Sequence, residues 1–200
     1  MDQSHPAQSA GSSPPVLQPP GQGARILQFG LSHGGHKFIL GSVDFQDESG
    51  NVVYSATRES ALHENYTIVQ GETTLLHMRH KTHFNAYSFE LQDASGAPIG
   101  EIQCHFTRMK GQLPSYSYTD QQGNQKAVVA WEQRTLRYAI CDPASALVFA
   151  QASVEFPGGA MADLKALVHG RGRMAVAEGS PLALPILLAF GVTLANMPPL

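Results

Sequence analysis

Residues 180–200, SPLALPILLAFGVTLANMPPL, carry no charged side chain, and this segment limits what the rest of the chain can build around it. A helix here is apolar on every side, because Ile186, Leu187, Leu188, Phe190, Val192 and Leu194 point in all directions. Such a helix needs apolar surroundings, either a bilayer or the centre of a fold. Length separates the two. Crossing a hydrocarbon core of about 30 Å takes about 20 apolar residues. The apolar stretch runs over 181–197, with Pro185 near its start and Pro198 and Pro199 at its end. Ser180 can cap it, or the regular helix begins near Pro185, where a missing N–H does no harm. From Pro185 to Asn196 the helix is about 18 Å long. No Lys or Arg follows to anchor it. The expectation is a buried core helix over about 181–197, with a membrane anchor as the alternative. Ala189, Gly191 and Ala195 are small enough to let neighbouring side chains approach closely.

From Lys37 onward, short alternating runs rich in Val, Ile, Phe, Tyr and Thr succeed one another, about eleven in all. Three connections share the pattern D-x-x-G: Asp47 to Gly50, Asp93 to Gly96 and Asp120 to Gly123. The Asp carboxylate accepts backbone N–H groups a few residues on, and Gly takes positive φ where the chain re-enters a strand. Repeated use of one turn predicts antiparallel hairpins. Calcium loops alternate their carboxylates at closer spacing, so no metal is expected there.

Side-chain parity gives each run a face. Tyr87, Phe89 and Leu91 fall on one side of their run. Ile102, Cys104 and Phe106 oppose Glu101, Gln103 and His105, and Leu136, Tyr138 and Ile140 oppose Thr135 and Arg137. One wet and one dry face over many antiparallel strands predicts a closed barrel or a sandwich. A barrel would supply the surroundings the terminal helix needs.

Residues 1–24 are mostly Pro, Gly, Ser and Gln. They hold too little apolar surface to offset the entropy of ordering, and a disordered tail is expected. The domain is then 25–200. The chain starts with neither the basic stretch nor the apolar run of a signal peptide. Its two cysteines are too few for a secreted disulfide scaffold, so an intracellular, cytoplasmic setting is expected. A net charge of −3 gives no global attraction to nucleic acid, which is not an expected partner.

A strand meander with D-x-x-G turns and an all-apolar C-terminal helix resembles the tubby C-terminal-like superfamily. That group includes tubby proteins, phospholipid scramblases and the LURP-one-related proteins of plants. The runs FELQDASGAPIGEIQCHF, RYAICD and PLALPILLAFGV are most similar to the LURP-one-related pattern. The likeness extends from about Phe38 to Met197. It implies a closed antiparallel barrel of twelve strands around a buried hydrophobic C-terminal helix. Tubby proteins bind phosphoinositide through a Lys-x-Arg pair on a strand. Arg79 and Lys81 have that spacing with the residue types exchanged, and a fork has replaced a point charge at one position and the reverse at the other. Scramblases carry an acidic calcium segment before the helix, whereas here Glu178 is the lone acid in HGRGRMAVAEGS.

The densest polar cluster is HMRHKTH, His77 to His83. On a strand His77, Arg79, Lys81 and His83 share one face and His80 takes the other. Three histidines split between faces do not converge on a metal, and none is expected. The stripe of His77, Arg79, Lys81 and His83, with Arg108 and Lys110 as a further basic pair, is the candidate anion-binding surface. No catalytic residue is expected. Cys104 reads as a small buried side chain, neither Ser60 nor Ser180 lies in a nucleophile elbow, and no nucleotide fingerprint occurs. A helix filling the barrel leaves no interior pocket. The functional expectation is a non-enzymatic binding or adaptor module without cofactor, with anionic membrane lipid such as phosphoinositide, or a protein, as partner. A membrane-anchored scramblase-type protein is the first alternative. An enzyme or carrier with an open barrel mouth near Glu90, Glu101 and His105 is the second.

Overall fold

The computed structural model describes residues 24–32, 42–59, 64–83, 86–105, 115–132, 137–155 and 171–195. Their backbone forms β1 (Arg25–Ser32), β2 (Ser42–Gln46), β3 (Val52–Arg58), β4 (Tyr66–Gln70), β5 (Thr73–His83) and β6 (Ala86–Asp93). Next come β7 (Pro98–His105), β8 (Ser115–Asp120), β9 (Gln125–Glu132), β10 (Arg137–Cys141), β11 (Val148–Glu155), β12 (Arg171–Val176) and the helix α1 (Leu184–Ala195). Each strand pairs antiparallel with its sequence neighbours. The pairing of β1 with β12, Leu27 opposite Met174, closes the ring. Closure leaves no unpaired strand edge.

The closed twelve-stranded barrel is the expected one, but two strands differ from the sequence reading. That reading starts the strands at Lys37, whereas β1 begins at Arg25 and buries Leu27 and Phe29. The next strand, β2, begins at Ser42, and residues 37–41 lie outside the described ones. The expected tail is outside them as well, apart from Ala24.

Parity holds where the sequence was clearest. Phe89 and Leu91 of β6, Ile102 and Cys104 of β7, and Tyr138 and Ile140 of β10 are buried, whereas His105 and Arg137 are exposed. Ala139 and Cys141, on the opposite parity of β10, are buried as well. They are small and sit low between the flanking strands β9 and β11.

The D-x-x-G turns form as their residues dictate. The Asp47 carboxylate accepts the backbone N–H groups of Ser49 and Asn51 at 2.9 Å each. Asp93 does the same for Ser95 and Ala97, and Asp120 for Gln122 and Asn124. Gly50, Gly96 and Gly123 sit at φ of 82, 87 and 81°. Asp142 builds a fourth turn, unread in sequence because it is one residue longer and has no glycine, its positive-φ residue being Ala146 at 57°. Hydrogen bonds from Ser95 and Ala97 hold the Asp93 carboxyl below its ordinary range.

Residues Ile186 to Ala195 of α1 are all buried and belong to one hydrophobic cluster with the strand residues Leu27, Phe45, Met78, Phe89 and Met174. The helix contacts β1, β4, β5, β11 and β12. A methyl group on Gly191 would lie 2.8 Å from Phe45 Cε1 and 3.1 Å from Met174 Cε. Glycine costs a helix interior about 1 kcal/mol relative to alanine, and here its bareness admits the Phe45 ring.

Candidate functional site

The stripe of β5 is built as parity requires. His77, Arg79 and Lys81 alternate with Leu76 and Met78, which are buried. Neighbouring strands supply a carboxylate to each cation. Arg79 Nη1 donates to Glu59 Oε2, just beyond the end of β3. Lys81 Nζ lies 2.6 Å from Glu90 Oε2 on β6 and 3.8 Å from Glu101 Oε2 on β7. Thr67 on β4 donates its one hydroxyl proton to Glu59 Oε1 at 2.6 Å. Thr67 Oγ1 therefore accepts from His77 Nδ1–H at 3.0 Å, which fixes a proton on that nitrogen.

Two cations thus face three carboxylates. Burial pushes Glu59 up, but hydrogen bonds from Thr67 and Arg79 and the charges of Arg79 and His77 outweigh it and leave the carboxyl low. The Lys81 hydrogen bond, with a second from Gln92, holds Glu90 low, and Glu90 in turn raises Lys81. Glu90 and Glu101 stand directly opposite each other across β6 and β7. Like charges so placed repel, and Lys81 bridges them.

Replacing Lys81 by Met is expected to cost under about 1 kcal/mol near neutral pH, because the network is half exposed. The pH dependence is the sharper readout. In the native chain the depressed Glu90 contributes stability above its ordinary value of 4.5, lost as pH falls through the lower folded value. In Lys81→Met the hydrogen bond that holds Glu90 low is gone and Glu90 faces Glu101 unbridged, so the Glu90 folded value rises and its protonation relieves the strain. The gap between the two chains should close as pH falls below about 4, as measured by urea denaturation across pH.

His80 takes the inward face, opposite Phe89 in register. Its ring lies 4.7 Å from that of Tyr87 and 5.5 Å from that of Phe89. The Tyr87 hydroxyl donates to Glu64, and Asn65 Oδ1 accepts the His80 backbone N–H at 2.9 Å. His80 Nε2 is buried and has no hydrogen-bond partner among the described residues, and the buried Tyr116 hydroxyl lies beside the Cys104 thiol. Burial pushes the Cys104 thiol up to about 11 and raises Cys141 as well, so neither is a ready nucleophile. No group of three His, Cys, Asp or Glu among the described residues is placed to hold a metal ion.

The side chain of His83, and all of Arg108 and Lys110, lie outside the described residues. Glu90 and Glu101 do not line an interior mouth, since both lie on the outer face with Lys81. A hollow of about 490 Å³ lies where the helix begins, lined by Ala24, Arg25, Val176, Ala177, Glu178 and Leu184. There Arg25 donates to the Tyr54 hydroxyl at 2.6 Å and stacks 5.0 Å from its ring centre. No family model, curated protein or solved structure matches the chain.

Proposed function

We propose that this chain is a non-enzymatic binding or adaptor module whose barrel is filled by its own helix and whose outer wall takes an anionic ligand, phosphoinositide being the motivating class. The burial of Ile186 to Ala195 carries the reading. The helix touches both β11 and β5, third and ninth in a ring of twelve strands. A helix lying against the outside of a closed ring does not reach opposite walls. A filled interior holds no ligand, and binding then belongs to the surface. The buried thiols add no nucleophile. Among the described residues no helix is long and apolar enough to cross a membrane, which is the observation against a helix-anchored scramblase.

The full chain, without detergent, should co-sediment with vesicles of phosphatidylcholine plus a phosphoinositide and not with phosphatidylcholine alone. Added salt should weaken that binding, because screened surface charge supplies the attraction. Equal partition into both kinds of vesicle would favour the membrane-anchored alternative. No partition into either would remove the lipid reading.

A further inference from the structure

The β5 stripe holds its cations against carboxylates, whereas on the far wall of the barrel two arginines have no ion pair among the described residues. Arg137 on β10 and Arg173 on β12 are both exposed, and no described carboxylate pairs with either. The register puts them in one row: Arg137 opposite Ser153, Ser153 opposite Arg173, and Arg173 opposite Gln28 of β1. All four share the outer parity, since Tyr138, Ala152, Met174 and Leu27 on the alternate positions are buried. One strand separates the two arginines, which sets their backbones about 10 Å apart. The next outward row is Ala139, Gln151 and Ala175, in which the two alanines beside Arg137 and Arg173 on their own strands are small and buried and Gln151 is the one long side chain.

We propose that Arg137 and Arg173, with the Ser153 hydroxyl between them, form a phosphate-binding row on the outer wall of β10, β11 and β12. This inference rests on the anion-binding reading above and moves the site away from Arg79 and Lys81. A phosphate above Ser153 lies within reach of both forks, and each fork presents two parallel N–H donors to its oxygens. At Arg79 and Lys81 the same anion has to displace Glu59, Glu90 and Glu101 first. Glu132, opposite Arg137, and Glu155, opposite Arg171, are the acids in register in this part of the wall, and their side chains lie outside the described ones.

The test titrates the full chain with inorganic phosphate and, separately, with vesicles of phosphatidylcholine and phosphatidic acid. The double variant Arg137→Gln/Arg173→Gln is expected to weaken both by about tenfold, and Arg79→Gln/Lys81→Gln to change them by less than about twofold. Exposed positions keep the fold, which circular dichroism checks. Arg137→Lys/Arg173→Lys should hold the vesicles but lose several-fold in phosphate affinity, because an ammonium lacks the fork. Binding of vesicles with no response to free phosphate would identify a lipid headgroup as the source of the phosphate, and the same arginine dependence would still be required. Loss on Arg79→Gln/Lys81→Gln alone overturns the row and leaves the anion-binding reading standing. A native chain that binds neither probe overturns both.

Discussion

Replacing Phe190 by Ala is expected to destabilise the protein by about 3–5 kcal/mol, measured as a shift in the urea midpoint. Phe190 is 0% exposed and lies in the same cluster as Phe45, Phe89 and Met174. Removing its ring deletes buried area and leaves a cavity between helix and strands that close packing prevents from collapsing fully. Typical domains hold about 5–15 kcal/mol in total, so one side chain near the C-terminus would carry a large share. A helix resting on the surface would lose far less. The size of the effect therefore reports where the helix sits.

The second large effect is expected at Gly172. It stands directly opposite Phe29 across β12 and β1. A methyl group added there would fall 2.2 Å from Phe29 Cζ and 2.6 Å from each Cε, so the far end of the ring fills the space a side chain would need. Gly172→Ala must push the ring aside. Phe29 is 3% exposed and packs 5.9 Å from the Phe45 ring, so it has little room to move. The expected loss is about 2–3 kcal/mol, overpacking outweighing the fraction of a kcal/mol that alanine gains over glycine in a strand. A double-mutant cycle isolates the cause. In a Phe29→Ala background, Gly172→Ala should cost little, because the clashing ring is gone. Gly50, Gly96 and Gly123 differ, since an added methyl meets nothing within 4 Å and their constraint is positive φ alone.

Much of the barrel was legible because closed antiparallel sheets impose period-two burial. Tyr87, Phe89 and Leu91, or Ile102 and Cys104, can be assigned a face from sequence alone. The strand β1 was missed although Leu27, Phe29 and Leu31 alternate. Gly34 and Gly35 break the pattern beyond it, its partner β2 follows only after residues 33–41, which carry no D-x-x-G turn, and its other partner β12 lies far along the chain. The fourth Asp turn escaped because Ala146 holds a left-handed conformation that its side chain does not advertise.

The stripe of His77, Arg79 and Lys81 was also visible, including the turn of His80 to the other face. Its counter-charges were not. Glu59, Glu90 and Glu101 come from different parts of the chain and reach the stripe only through the register of β3 with β4, β4 with β5, β5 with β6 and β6 with β7. Register is a tertiary property, set by packing of the buried face rather than by the polar residues that result. The same holds for Arg137 and Arg173, which the sequence separates by 36 positions and the sheet by one strand.

Hydrogen exchange of the full chain in detergent-free buffer tests the filled barrel most directly. The amides of 186–195 should be among the slowest in the protein, opening only with global unfolding. Exchange there as fast as at the D-x-x-G turns would contradict the fold, as would a chain that is insoluble until 181–200 is removed and then stays folded.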